Sequence, residues 1–405
     1  MPETTANGFL LTSPGKIDRY TGQDFNEPVT LDNWQESPFN RWGFAHISEL
    51  VTTATIRRGS SSQPFMGMAA DTTEQAEKWR SVDQFLESTH TDAIVVLQHG
   101  NMVMERYFGA FQPHDRHVLM SVSKSVCALI VGILAGRGLI DTQQSVRHYV
   151  PALAGSAYGN ATIRQVLDMT AAVRYSENYL DADAEVQQQD RIAGWRPKLD
   201  TDSRDTYEFL TRLQPDGEHG RSFQYCSAST DVLAWIIENV TGKRYAEVLS
   251  DELWSRLGTS DDALITTDSG GFAFANGGIA CTARDMAKIG QLMLDEGKAN
   301  GQTIVPSWWI KDTMRGGDPQ LARGTAYQQV HPNGSYRNQW WVPGDPRGTV
   351  YAAGIHGQFI WIDPISDTVI AKFSSCPQPV ALELSQTHAE GFRQMVNILE
   401  RKSAS

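Results

Sequence analysis

Ser121-Val122-Ser123-Lys124-Ser125-Val126-Cys127-Ala128-Leu129-Ile130-Val131-Gly132-Ile133-Leu134-Ala135-Gly136-Arg137 is the stretch from which the fold is read. From Val126 the run carries no charge until Arg137, which is too short to span a bilayer and reads as a helix buried in a globular core. Strand character lies far to either side. Upstream, Ala93–Leu97 and Met102–Tyr107 flank His99-Gly100-Asn101 as a hairpin. Downstream, Gln358–Ile362 and Thr368–Phe373 flank Asp363-Pro364 as a second one. Between them the periodicity predicts helices at Ile163–Asp168, Ser229–Val240, Tyr245–Leu257 and Ala283–Leu294, with others at Thr73–Thr89 and Leu382–Leu399. The economical fold is therefore of the α/β (α+β) class, with one antiparallel sheet built from both chain ends and flanked by helices. A sheet lobe would comprise 76–115 and 335–405, and a mostly helical lobe 116–334. Residues 1–75 would form an arm packed on the body, and a ligand cleft is expected between the lobes.

The same helix carries the sharpest chemistry. Residues three apart share a helix face, so Ser121 and Lys124 lie within reach of each other. A serine hydroxyl needs a base to become a nucleophile, and lysine serves only if burial lowers its pKa. The alternative is a helix-capping serine followed by a surface lysine. A second Ser-x-x-Lys, Ser13-Pro14-Gly15-Lys16, contains a Pro-Gly that excludes it from a helix interior. In Tyr225-Cys226-Ser227 the tyrosine could carry a proton and Ser227 could orient the amine; a buried tyrosine with one hydrogen bond is the alternative. Gly354-Ile355-His356-Gly357-Gln358 opens a strand where a backbone N–H could meet an oxyanion, or where a partly exposed histidine simply follows small residues. Trp340-Trp341 precedes it and could wall a pocket.

The chain has 405 residues, 40% apolar and 20% charged, with 35 Lys+Arg against 47 Asp+Glu and a net charge of −12. That is a globular composition, and its acidity disfavours nucleic acid and anionic membrane surfaces as partners. His114-Asp115-Arg116-His117 lacks further ligands for a metal, and no Gly-x-Ser-x-Gly elbow or phosphate-binding loop occurs. No metal or cofactor is expected. Cys127, Cys226, Cys281 and Cys376 form no Cys-x-x-Cys pair, and no signal peptide is recognised, so buried thiols in a cytoplasmic protein are expected.

Ser121-x-x-Lys124, Tyr225-x-Ser227 and Ile355-His356-Gly357, in this order, resemble the motifs of the serine β-lactamase and penicillin-recognising superfamily. Val146-Arg147-His148-Tyr149-Val150-Pro151 and Gly277-Gly278 followed by Thr282-Ala283-Arg284-Asp285 are similar to its class C-like esterase branch. Asn40-Arg41-Trp42, Phe274-Ala275-Asn276 and Gln339-Trp340-Trp341 are similar to the nylon-oligomer hydrolases within that branch. The resemblance implies a β-lactamase-like fold and hydrolysis of linear 6-aminohexanoate amides, with short-chain esters as side substrates. A general carboxylesterase and a non-catalytic sensor are the rival readings. It implies Ser121 as the acylated nucleophile, Lys124 as its base and Tyr225 as the proton carrier. The backbone N–H groups of Ser121 and Ile355 would form the oxyanion hole. Tyr179 would bond the substrate amide from a mobile loop, Asp190 would face its ammonium, and Asn276 and Trp341 would line the pocket. Ser227 and His356 complete the expected binding residues, and a homodimer is a possible assembly. Two departures stand out. The superfamily's Lys-Thr-Gly is absent, with Ile355 at the lysine position, and Ser227 replaces the usual asparagine. Both disfavour β-lactam substrates.

Overall fold

The computed structural model describes residues 28–65 and 79–403. Ser13-Pro14-Gly15-Lys16, much of the expected arm and the start of the helix expected from Thr73 lie outside the described residues. Among the described residues thirteen strands occur in chain order: β1 (Thr53–Ile56), β2 (Thr91–Gln98), β3 (Asn101–Tyr107), β4 (His117–Val118), β5 (Ala263–Thr266), β6 (Ile279–Cys281), β7 (Lys298–Ala299), β8 (Gln302–Thr303), β9 (Ser335–Arg337), β10 (Trp340–Val342), β11 (Val350–Gly354), β12 (Gln358–Asp363) and β13 (Thr368–Ser374). The main sheet has the order β3-β2-β13-β12-β11-β10-β9, with every neighbouring pair antiparallel. Within it β2 pairs with β13, so strands from early and late in the sequence meet there.

β2 is apolar from Ala93 to Leu97 because both its faces are covered. Ile94 and Val96 pack under the final helix, Leu382–Ser403, with Phe392, Met395 and Leu399. Val95 and Leu97 face the opposite side, where helices Val122–Gly136 and Ala283–Leu294 contribute Val126, Ile130, Met286 and Ile289 to the large core. Gly290 permits this closeness, since a Cβ there would sit 2.4 Å from a Val369 methyl. The β2–β3 turn is a two-residue loop with positive φ at both His99 and Gly100, which matches the right-handed twist of the flanking strands.

Helix Val122–Gly136 is buried from Val122 through Leu134, as an all-round apolar helix must be. Helix Ala228–Thr241 packs against it and ends on Gly242 at φ 66°, a left-handed C-terminal cap. The helix expected to reach Leu257 is α-helical only over Tyr245–Leu249 and continues as a π-turn through Trp254. A second sheet, β1-β5-β6-β4, runs through the part read as mostly helical. Its strands are two to four residues long and so carry little alternation. The described part of the arm is folded: Asn40–Ala45 and Ile47–Leu50 are helical and β1 pairs with β5. Its Trp34 and Phe44 join Trp195, Phe274 and Met120 in one cluster, which braces the turn ahead of Ser121.

Candidate active site

Ser121 sits at the start of the buried Val122–Gly136 helix, behind Met120 at φ 49°. A left-handed methionine is strained, and the packing of its side chain holds it there. One helical turn on, Lys124 Nζ lies 2.8 Å from Ser121 Oγ and donates over 2.8 Å to the carbonyl of Asn276. Lys124 is 1% exposed. Burial lowers its pKa to about 8, although the charges of Glu177 and Asp231 work in the other direction. A lysine with that pKa is neutral in an appreciable fraction of molecules near neutral pH, with a lone pair aimed at a hydroxyl. The Tyr225 ring centroid is 5.3 Å from the same nitrogen. Burial and the Glu177 charge hold its phenol well above the ordinary range, while a hydrogen bond with Ser121 acts in the opposite direction. Tyr225 therefore keeps its proton at neutral pH and can donate it.

The opposite wall is the end of β11. A Cβ on Gly354 would lie 2.7 Å from the carbonyl oxygen of Leu119 and 3.1 Å from the Ser121 nitrogen. Only glycine lets this strand approach the Ser121 backbone so closely. The approach brings the Ile355 segment beside the Ser121 backbone.

Glu177 is the residue that sequence reasoning missed. Its carboxylate accepts hydrogen bonds from the Ser227 N–H at 3.0 Å, from the Ser227 hydroxyl, and from the Tyr179 hydroxyl at 2.7 Å. It ties the segment bearing Tyr179 to the start of helix Ala228–Thr241. No motif marks it, because its partners lie two residues ahead and fifty residues beyond in sequence. The Ser227 hydroxyl, expected to orient the Lys124 amine, is engaged by Glu177 instead.

The cleft has a volume of about 430 Å³, and Ser121, Glu177, Tyr179, Tyr225, Trp341 and Ile355 are among the residues that line it. Four expected binding residues, Ser227 among them, do not line it. Asn276 is 5% exposed; its side-chain amide donates to Asp231, and its carbonyl holds Lys124. Asp190 is on helix Glu185–Ile192, not in a solvated loop, with Arg196 Nε 3.5 Å away. Burial raises its pKa to about 6, against the pull of Arg196. His356 is buried, its ring packed near Phe44 and its Nδ1 2.7 Å from the Cys376 carbonyl. Burial lowers its pKa to about 4, so it is neutral, not the partly exposed histidine that the sequence alternative described.

Residues 80–391 match the family described as Beta-lactamase. The chain belongs to this family. Within it, the chain is 49% identical over 364 residues to 6-aminohexanoate-dimer hydrolase of Paenarthrobacter ureafaciens, covering 89% of this chain and 91% of that one. A solved protein from Bacillus anthracis, named provisionally as a 6-aminohexanoate-dimer hydrolase, superposes with a TM-score of 0.79 at 28% identity over 92% of this chain and 97% of its own. A family VIII carboxylesterase shares the fold, with a TM-score of 0.59 at 14% identity over 80% of this chain and 98% of its own. The β-lactamase-like fold expected from the three motifs is the fold found.

Proposed function

We propose that this beta-lactamase family member is a serine hydrolase that cleaves linear amides of 6-aminohexanoate oligomers, the dimer included, through an acyl-enzyme, and turns over short-chain esters at the same site. The observation that carries the reading is the buried Lys124 amine 2.8 Å from the Ser121 hydroxyl, with its pKa brought down to about 8. The identity to the Paenarthrobacter ureafaciens enzyme supports the substrate class.

In this reading 76–115 and 335–405 form one lobe and supply Ile355 and Trp341, while 116–334 form the other and supply Ser121, Lys124 and Tyr225. Neutral Lys124 takes the Ser121 proton as Oγ attacks the carbonyl carbon. The N–H groups of Ser121 and Ile355 hold the oxyanion. Tyr225 gives its proton to the leaving nitrogen as the C–N bond breaks and is reprotonated from Lys124. Water then attacks the acyl-enzyme, and Ser121 recovers its proton. Tyr179 binds the substrate amide, and Asp190 acts on the substrate ammonium from behind the wall. No helix among the described residues is long and apolar enough to cross a membrane. Four buried free thiols support a reducing, cytoplasmic setting, and a homodimer completes the reading.

Ser121→Ala tests this. Turnover of aminohexanoate dimer and of butyrate esters should both vanish, and an acylating probe should no longer add mass to the protein. Ester turnover surviving in the variant sinks the assignment. Ester turnover that depends on Ser121, without any dimer cleavage, would establish the general carboxylesterase instead.

A further inference from the structure

Beyond Ser121 the cleft continues as an apolar groove, of which the reaction described above uses only Tyr225 and Trp341. Its floor is a row of rings. Tyr225 stacks on Trp341 at 5.4 Å and 14°, Trp341 on Tyr351 at 6.4 Å and 18°, and Tyr351 on Trp361 at 5.4 Å and 15°. Three near-parallel steps in succession form a row that starts at the part-exposed Tyr225 and Trp341 and ends inward at Tyr351, 8% exposed, and Trp361, 2% exposed. All four rings line the same cleft as Ser121. The other side is formed by Val330 and by the first turns of the final helix, where Leu384 and Ser385 face the groove. Its outer end is apolar and open, with Val380 62% exposed and Leu382 39% exposed.

The charge pattern is one-sided. Among the described residues, Glu177, at the Ser121 end, is the only acidic side chain lining the cleft, and no lysine or arginine lines it. The two histidines there supply no cation at neutral pH: burial lowers His331 to about 4 and brings His388 well below its ordinary value. A chain lying on the row therefore finds dispersion and burial but no partner for a carboxylate. The leaving atom must lie within reach of the Tyr225 proton, and the row begins at that ring.

We propose that this groove is a subsite for a long, uncharged aliphatic leaving chain, so that the enzyme favours linear esters or amides whose alcohol or amine half extends well beyond the scissile bond. The inference rests on the acyl-enzyme reading and names a substrate class for the same site. An extended chain advances roughly 1.2 Å per bond, about a third of the rise of an extended residue. A chain of about ten carbons then covers most of the row. Each methylene fully buried there should raise kcat/KM about fourfold until the groove is filled.

The test is a chain-length series with the intact enzyme: butyrate esters of ethanol, butanol, hexanol, octanol and decanol, against p-nitrophenyl esters of growing acyl length. The expected result is a rise in kcat/KM along the alcohol series, with little dependence on acyl length. Ser385→Trp and Val330→Trp, both on the side facing the rings, should each flatten the alcohol series beyond the point of obstruction. A flat alcohol series in the intact enzyme overturns the proposal. So does a rise that neither variant alters, or a rise confined to the acyl series. Loss of all hydrolysis in Ser121→Ala, measured alongside, separates the two ideas: if ester turnover survives it, the acyl-enzyme reading itself has failed.

Discussion

Replacing Glu177 by glutamine should move the pH dependence of acylation downward. Among the charges that hold up the pKa of Lys124, Glu177 has the largest effect, with Asp231 next. With Lys124 titrating at about 8, roughly one-tenth of molecules carry the neutral amine at pH 7. Glutamine keeps an acceptor for Ser227 and Tyr179 but removes the charge. A one-unit shift is about 1.4 kcal/mol, the Coulomb energy of unit charges roughly 12 Å apart at an effective dielectric of about 20. Lys124 and Glu177 both reach the Tyr225–Ser227 segment, at 5.3 Å from the Tyr225 ring and 3.0 Å from the Ser227 nitrogen. A drop of about one unit is therefore expected, which brings the neutral fraction at pH 7 from about a tenth to about a half. The sign follows from the chemistry: the base works when deprotonated, so activity rises with pH through this midpoint, and a lower midpoint moves the rising limb to lower pH. Burst kinetics with p-nitrophenyl acetate across the rising limb read the midpoint, while the plateau at high pH reports separately on any disturbance of Tyr179. An unchanged or higher midpoint would refute the argument.

Other outcomes follow from the same geometry. Tyr225→Phe should slow amide cleavage about tenfold or more beyond its effect on an activated aryl ester, whose leaving group needs no proton; parallel kinetics on dimer and p-nitrophenyl butyrate decide it. Asp190→Asn should weaken dimer hydrolysis about fivefold and spare butyrate esters. In the unmodified enzyme that preference for ammonium substrates should be present above about pH 6 and fade below it, as the carboxylate is protonated. If N-acetylation of the dimer and the mutation multiply in their effects, Asp190 does not act on the ammonium. Gly354→Ala would put a methyl 2.7 Å from the Leu119 carbonyl oxygen, so the strand must retreat from Ser121. We expect about a hundredfold loss in kcat, the scale of one lost oxyanion donor, with a circular-dichroism melt close to that of the parent.

The parts of the fold legible in the sequence are those whose burial writes a local pattern. From Val126 to Leu134 the helix Val122–Gly136 is apolar on all sides because that part is enclosed, and β2 is apolar from Ala93 to Leu97 because both its faces are covered. Ala283–Leu294 has the bounds that its periodicity gives. The strands β4, β5 and β6 are too short to show alternation, and the helix Glu185–Ile192 is mostly polar in sequence although Gln187, Gln189 and Asp190 are buried in the structure. Within the site, Ser121 and Lys124 are three residues apart on one helix, so their contact is local and readable. Glu177 meets Ser227 only through the fold. Asn276 acts through its backbone carbonyl, which no side-chain identity can announce.

The joining of β2 to β13 sets a timetable for synthesis. His99 and Asp367, which close this end of the sheet, are 268 residues apart. At roughly 5–20 residues per second, β13 leaves the ribosome tens of seconds after β2. During that interval the β2–β3 hairpin is complete but lacks its neighbour, and the edge of a strand apolar on both faces is open to pairing with any other chain. The hairpin must therefore be shielded or slow to order until the C-terminal strands arrive. A chain that stalls before Thr368 has no internal way to cover that edge, and aggregation is its natural fate.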